Sequence, residues 1–181
     1  MQDSFYKSEE LKSIGFNEVG NNVLISRFAR FYDIENIEIG SNVRIDDFCL
    51  LSGKIKLGNY IHISAFSALY GKFGIEMEDF SGLSPRCTVF SASDDFSGDF
   101  LIGPMINHKY TNVIGGKVHI GKFCQLGCNC VVLPDIIISE GAAVGAMSLI
   151  TKNLLPWKIY KGIPAEFLKD RSKKLLESDL L

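Results

Sequence analysis

The sequence predicts an all-β chain wound as a parallel β-helix, and three observations carry that prediction. From 118 to 150 a pair of inward-facing residues recurs every six positions: Val118/Ile120, Cys124/Leu126, Cys130/Val132, Ile136/Ile138, Ala142/Val144 and Ser148/Ile150. The second member is always a branched aliphatic, and the residues between pairs are rich in Gly, Ser, Lys, Asn and Glu. The same rhythm runs earlier through Ile37/Ile39, Val43/Ile45, Cys49/Leu51, Ile55/Leu57, Ile61/Ile63 and Ser67/Leu69. A helix would need apolar residues at steps of three and four, and an ordinary strand alternates briefly and stops. A six-residue step suits a short strand with two inward side chains followed by a turn. Three such units close one coil of a triangular prism, and stacked coils share a core.

Taken in order, residues 4–14 read as a short helix, with Ser8 as cap, Glu9 and Glu10 in the first turn and Gly15 as terminator. The stretch 21–36 is apolar but out of phase, so residues 1–36 are expected to form an N-terminal helix and a cap over the first coil. The solenoid proper is expected over 37–153. Within it, two extra residues at Gly71-Lys72-Phe73-Gly74 delay the next pair to Ile75/Met77, after which Ser81/Leu83 and Cys87/Val89 resume the step. The glycines suit a bulged turn. A further step would bury Ser93 and Asp95, and an unpaired carboxylate is too costly as core filler. The chain therefore leaves the coil at about 92 and returns near 116. This excursion is rich in Asp, Ser, Gly, Pro, His, Tyr and Asn, with enough apolar residues to pack, and a loop of this length on a regular scaffold points to function. Residues 154–181 are expected as a C-terminal extension ending in a helix over 166–177.

The composition is that of an ordinary globular chain: 181 residues, 46% hydrophobic, 22% charged, formal charge −2. No Lys/Arg stripe precedes the tail, which argues against nucleic acid as a partner. No apolar run approaches the roughly 18 residues of a membrane span, and the first residues lack a basic region followed by an apolar one, so a cytoplasmic location without membrane insertion is expected. Cys49, Cys87, Cys124 and Cys130 each take the first position of an inward pair, which reads as core packing and not metal binding; Cys128 falls outside that position.

The hexapeptide rhythm, the loop after Ser91-Ala92-Ser93-Asp94, Val131-Val132-Leu133-Pro134, the run Val144-Gly145-Ala146-Met147-Ser148-Leu149-Ile150-Thr151-Lys152 and Gly162-Ile163-Pro164-Ala165 together resemble the hexapeptide-repeat acetyltransferases. The likeness covers about residues 37–168 and points to the galactoside and maltose acetyltransferases and the sugar acetyltransferases of bacterial polysaccharide gene clusters. It implies a left-handed parallel β-helix assembled as a homotrimer, with acetyl-CoA as co-substrate in the groove between subunits. Handedness comes from the resemblance alone, because the general rule for parallel crossovers points the other way. For the cofactor it implies Gly127, Cys128 and Ala146 along the pantetheine arm, Thr151 and Lys152 toward the adenosine end, and Arg171, Lys173 or Lys174 at the phosphates.

Relatives carry a histidine general base at the mouth of the loop, suited by its titration near neutral pH. This chain has Asp94 there. A carboxylate is a weak base toward a hydroxyl but can bind an ammonium group and accept its proton, which favours an amino-sugar acceptor, nucleotide-linked or free. His62 is a second candidate base. Ser64 matches a position that holds the acceptor sugar, while Asp95 and His108 are candidates for contacting the acceptor from the loop. His119 reads as surface. The expected activity is transfer of an acetyl group from acetyl-CoA to a sugar amine in surface-polysaccharide synthesis. O-acetylation of the galactoside type and a non-catalytic sugar-binding trimer are the alternatives. A zinc hydratase on a similar prism would need three suitably spaced histidines, and His62, His108 and His119 do not fit, so no metal is expected.

Overall fold

The computed structural model describes residues 4–178. It is a left-handed parallel β-helix of about 7 turns. One face of the prism stacks Glu18–Val19, Ile37–Ile39, the later half of Leu50–Leu57, the later half of Ala68–Met77, Val118–Ile120 and Ile137–Ile138, all parallel. A second face runs Leu24–Ile25, Arg44–Ile45, His62–Ile63, Gly82–Leu83, Gln125–Leu126, Ala143–Val144 and Lys158–Lys161. The third is Arg30–Tyr32, the starts of Leu50–Leu57 and Ala68–Met77, Thr88–Phe90, Val131–Val132 and Leu149–Ile150. The second members of the six-residue pairs fill the prism: Leu51, Ile63, Leu69, Val89, Ile120, Leu126, Val132, Ile138 and Ile150 are all fully buried.

The first members line an inner corner as expected. Cys49, Cys87, Cys124 and Cys130 are buried free thiols, and each hydroxyl or thiol in these columns finds a backbone carbonyl, as in Cys49 Sγ to Ser64 O at 3.2 Å and Ser148 Oγ to Gly145 O at 2.7 Å. This is how small polar groups enter a dry core without a desolvation penalty. Burial pushes the Cys49 thiol up to about 11 and the Cys124 thiol up to about 12, from an ordinary 9.0. A raised folded-state pKa means that stability is complete below the unfolded value and is lost as pH rises through the folded one. Thermal unfolding temperature is therefore expected to fall between pH 9.0 and about 12, and Cys124→Ala to flatten that decline. A melting series across this range checks it.

Side chains at two outer corners sit in left-handed backbone. Asn22, Asn42, Tyr60, Phe80, Phe123 and Trp157 all have φ between 53° and 59°. Asn22 donates its side-chain amide to Asn42, Tyr60 stacks on Phe80 at 4.6 Å and Phe80 on Phe123 at 5.4 Å, and Trp157 reaches Phe123 at 6.0 Å across the coil that carries Gly141. At the next corner Phe28, Phe48 and Phe66 form a second ladder. The left-handed conformation costs on the order of 1–2 kcal/mol per residue, and ring stacking at about 0.5–1.5 kcal/mol per pair offsets part of it.

Three expectations are corrected. Residues 21–36 are not a cap outside the repeat: Leu24–Ile25 and Arg30–Tyr32 pair in register with Arg44–Ile45 and Leu50–Ser52, completing a first coil that starts at Glu18. The apparent loss of phase is a two-residue insertion at the 3₁₀ turn Ile34–Asn36, like that at 71–74. The terminal helix is shorter than expected, Ser8–Ile14, with Lys7 and not Ser8 at its start; the Lys7 N–H donates to Glu10, and Gly15 ends the helix as expected. The expected C-terminal helix is absent. Glu166–Asp170 is a strand folded back antiparallel on Lys158–Lys161, followed by one 3₁₀ turn, Lys174–Glu177. The last coil would otherwise leave an open row of N–H and C=O groups, and pairing with that edge outweighs the weak helical pattern of Phe167, Leu168, Leu175 and Leu176. The outermost parts of both expected segments, 1–3 and 179–181, lie outside the described residues.

Candidate active site

The excursion leaves the coil where expected, and its neck is a two-stranded antiparallel ribbon, Ala92–Asp94 against Val113–Gly115. Ser91, fully buried, anchors it. Its hydroxyl donates to Tyr70 O at 3.0 Å and accepts from Phe73 N–H at 2.9 Å, and its carbonyl accepts from Gly116 N–H at 3.1 Å. Ser91→Ala would leave the Phe73 N–H unpaired, at about 1–3 kcal/mol, while the Tyr70 carbonyl keeps its bond from the Ser91 N–H. The expected result is a lower melting temperature with early proteolytic nicking between 95 and 112, read by limited proteolysis.

Between this neck and the third prism face lies a cleft of about 990 Å³. Tyr70 and Phe90, stacked from adjacent coils, form one wall with Leu133 and Pro134. Phe96, Pro104 and Ile106 of the loop form the other, and Lys72, Asp94 and His108 are its charged or titratable lining. The two extra residues at 71–74 thus have a structural consequence: they carry Lys72 out of the coil and into the cleft.

Asp94 and Asp95 take different roles. The Asp95 carboxylate accepts from Ser97 N–H at 2.8 Å and from the Asn112 side chain at 2.9 Å, which together hold its pKa below the usual carboxylate range. Asp95 is a staple of the loop. Asp94 lines the cleft, half-buried, and its carboxylate has no hydrogen bond or ion pair among the described residues. A half-buried acid without a partner beside an apolar wall is free to engage a ligand.

Of the other expected site residues, His108 shares the cleft with Asp94, whereas His62 and Ser64 lie a prism face away. His62, on His62–Ile63, bonds through Nε2 to Asp46 at 2.8 Å; Asp46 also accepts from Arg44 at 2.7 Å. Burial opposes ionisation of Asp46, but the bonds from Arg44 and His62 outweigh it and keep its pKa low. Ser64 lies one corner along, in a column continued by hydrogen bonds through Ser84, Gly127 and Gly145: Ser64 N–H to Leu83 O, Ser84 N–H to Leu126 O, Gly127 N–H to Val144 O. Gly127 and Ala146 meet closely here, since a Cβ on Gly127 would lie 2.6 Å from Ala146 N, and Cys128 is half-buried beside them. This corner has the small residues that a thin polar chain needs to run along the backbone.

Thr151 and Lys152 are exposed at the far end of Leu149–Ile150, away from that corner. Arg171, expected on a helix facing phosphates, instead donates from Nη1 to Phe123 O at 2.7 Å and Gly141 O at 3.0 Å, pinning the C-terminal hairpin under the aromatic ladder. Sequence reasoning missed Ser84, Lys72 and the Tyr70/Phe90 wall. The coil arithmetic could have found Ser84, one full coil after Ser64.

No family profile matches the chain. Among curated proteins, the dTDP-4-amino-4,6-dideoxy-D-glucose acyltransferase of Escherichia coli is 44% identical over 171 residues, 93% of this chain and 89% of that protein. Among solved structures, AntD, an N-acyltransferase from Bacillus cereus, is 50% identical with a TM-score of 0.95 over 97% of this chain and 95% of that chain, as a D94A variant with dTDP and coenzyme A. An S84A variant of AntD holds dTDP-4-amino-4,6-dideoxyglucose and coenzyme A, and AntD is also known with dTDP and 3-hydroxybutyryl-CoA. This chain has an aspartate and a serine at the same two numbers. On identity sustained over nearly the whole of both chains, this protein belongs to the hexapeptide-repeat sugar acyltransferase family.

Proposed function

We propose that the protein transfers an acyl group from acyl-CoA to the amino group of a dTDP-linked 4-amino-4,6-dideoxy sugar. The observation that carries this reading is the unpartnered Asp94 carboxylate in the cleft of a chain so similar to AntD, whose structures hold that amino sugar and coenzyme A. Acyl-CoA supplies the activated thioester. Asp94 binds the acceptor as its ammonium, takes the proton, and leaves the nitrogen lone pair to attack the thioester carbonyl. A C–N bond forms, the C–S bond breaks, and the coenzyme leaves as its thiol after protonation. Ser84 orients the amine, and Gly127, Cys128 and Ala146 line the pantetheine path, with Thr151 and Lys152 toward the adenosine.

Ser84 and Asp94 stand at opposite ends of one prism face, on the order of 15–20 Å apart by strand rise. A site that uses both therefore needs Ser84 from one subunit and Asp94 from its neighbour, which supports the homotrimer; light scattering should return three times 20.1 kDa. The setting we infer is cytoplasmic, in the assembly of surface polysaccharide.

A thiol-release assay tests the reaction. Coenzyme A is expected to appear with the 4-amino dTDP-sugar and not with its 4-hydroxyl counterpart, and the opposite result overturns N-acylation. Running the assay with acetyl-CoA and 3-hydroxybutyryl-CoA identifies the acyl group. Cys128 reports the cofactor path independently: as the one half-buried thiol beside four buried ones, it should alkylate first with iodoacetamide, and coenzyme A should slow that labelling. Unchanged labelling at saturating coenzyme A would remove Cys128 from the path.

A further inference from the structure

We propose that the C-terminal end of the prism docks on an anionic lipid surface, with its ammonium groups at the headgroups and its protruding aliphatic side chains at the interface, and without insertion of the chain. Each face of the solenoid contributes to this end where its last strand stops. Lys152 follows Leu149–Ile150 of the third face. Leu155 follows Leu154, which is bridged to Ile138 of the first face, and Lys161, Ile163, Leu168 and Lys169 belong to the hairpin that closes the second. A solenoid's terminal cap ordinarily turns a polar face to water. Here Ile163 is 73% and Leu155 62% exposed, and every residue of Glu166–Asp170 is exposed, Phe167 and Leu168 included. The Leu155 N–H donates to the Tyr160 hydroxyl at 2.9 Å, which fixes that turn while its side chain stays in solvent. Exposed apolar groups gathered at one end of a molecule mark a contact surface.

Charge identifies the partner. Residues 152–178 hold seven Lys and Arg against three Asp and Glu, whereas the whole chain holds 19 against 21, so this end is cationic and the rest of the molecule acidic. Lys158 is paired with Asp170, and Arg171 is tied to backbone carbonyls. Lys152, Lys161, Lys169 and Lys174 are exposed, and none of their ammonium groups has an ion pair or hydrogen bond among the described residues. A second copy set end to end would bring like charges together, so the complementary partner is anionic. Separate aliphatic side chains standing out between ammonium groups suit the boundary of a bilayer, where Lys meets lipid phosphate and Leu or Ile enters the acyl edge. In a threefold assembly all copies turn this end to the same side, and their individually weak contacts reinforce one another.

Co-sedimentation of the full chain with vesicles tests this. Vesicles containing phosphatidylglycerol are expected to bring the protein down, and vesicles of phosphatidylcholine alone to leave it in solution. Raising the salt from about 0.1 M to about 1 M, which shortens the screening length from about 10 Å to about 3 Å, should release it. Lys169→Glu should lower the partition onto anionic vesicles by about tenfold or more, and Leu155→Ser with Leu168→Ser should lower it to a similar extent. Coenzyme A affinity should hold in each variant, which shows that each is folded and that the surface is distinct from the cofactor path. Equal binding to both kinds of vesicle, or variants that sediment like the wild type, overturn the proposal. So does release of the wild type by saturating coenzyme A, which would assign the ammonium groups to the cofactor's phosphates. Polyglutamate that captures the wild type and the Leu155/Leu168 double variant alike, with no binding to vesicles, overturns it in favour of an acidic protein.

Discussion

Replacing Asp94 by alanine is expected to lower kcat/KM for the amino-sugar acceptor by about 10²-fold, the lower end of what a positioned acid–base group contributes, with little change in affinity for acyl-CoA. The reason is geometric. Asp94 has no partner to lose, so its removal strands no buried group and leaves the loop neck intact. AntD in its D94A form still holds dTDP and coenzyme A, which fits a loss in the chemical step and not in folding. Asp95→Ala should behave in the opposite way, because the lost bonds to Ser97 and Asn112 are structural. Its expected signature is a loosened loop and a raised KM for the acceptor. Steady-state kinetics on the two variants, with both substrates varied, separates the roles. Equal kinetic losses in both would remove the distinction, and an unchanged kcat/KM for Asp94→Ala would remove that carboxylate from the mechanism.

Gly141→Ala is expected to cost about 3 kcal/mol of stability, which is large for the addition of one methyl group. Gly141 sits at φ +68°, where any L side chain is strained, and its Cβ would fall 2.4–2.7 Å from three atoms of the Trp157 indole. In the corner column it stands between Phe123 and Trp157, so the missing side chain is the space into which the indole folds. Driving Trp157 out opens the end of the ladder from Tyr60 to Phe123. It also disturbs the carbonyl of Gly141, which Arg171 uses to hold the terminal hairpin. Denaturant unfolding should show a lower midpoint, and Arg171→Ala, which cuts the same tie from the other side, should add less than its full effect to Gly141→Ala. Full additivity would mean that the hairpin and the ladder are independent.

The extent to which the molecule was legible beforehand varies with the range of the interactions involved. The six-residue pairs place Leu51, Ile63, Val89 and Leu126 in the core because a prism face has room for one inward pair, a constraint written locally in every coil. The same constraint exposed the excursion, since Asp95 could not occupy the next inward position. It also explained four cysteines as corner filler. The first coil was obscured by two inserted residues near Ile34, which shift the phase without changing the structure. The C-terminal strand was missed because its stability comes from the open edge of the last coil, a partner that does not exist until the solenoid has formed.

By itself, the sequence determined the repeat, the core, the point where the chain departs from it and the pair of acids at the mouth of the departing loop. The tertiary structure decided which of two adjacent acids is free. Asp95 is tied by Asn112, a residue on the far strand of the neck, and only closure of the loop brings the two together. It likewise decided that Lys72, Tyr70 and Phe90 share a cleft with Asp94, because the faces of a solenoid join residues about one coil apart in sequence. It tied Arg171 to the carbonyls of Phe123 and Gly141 by folding the tail beneath the aromatic corner. Core positions follow from local periodicity, whereas the site follows from where the stacked coils and the returning loop place side chains distant in sequence.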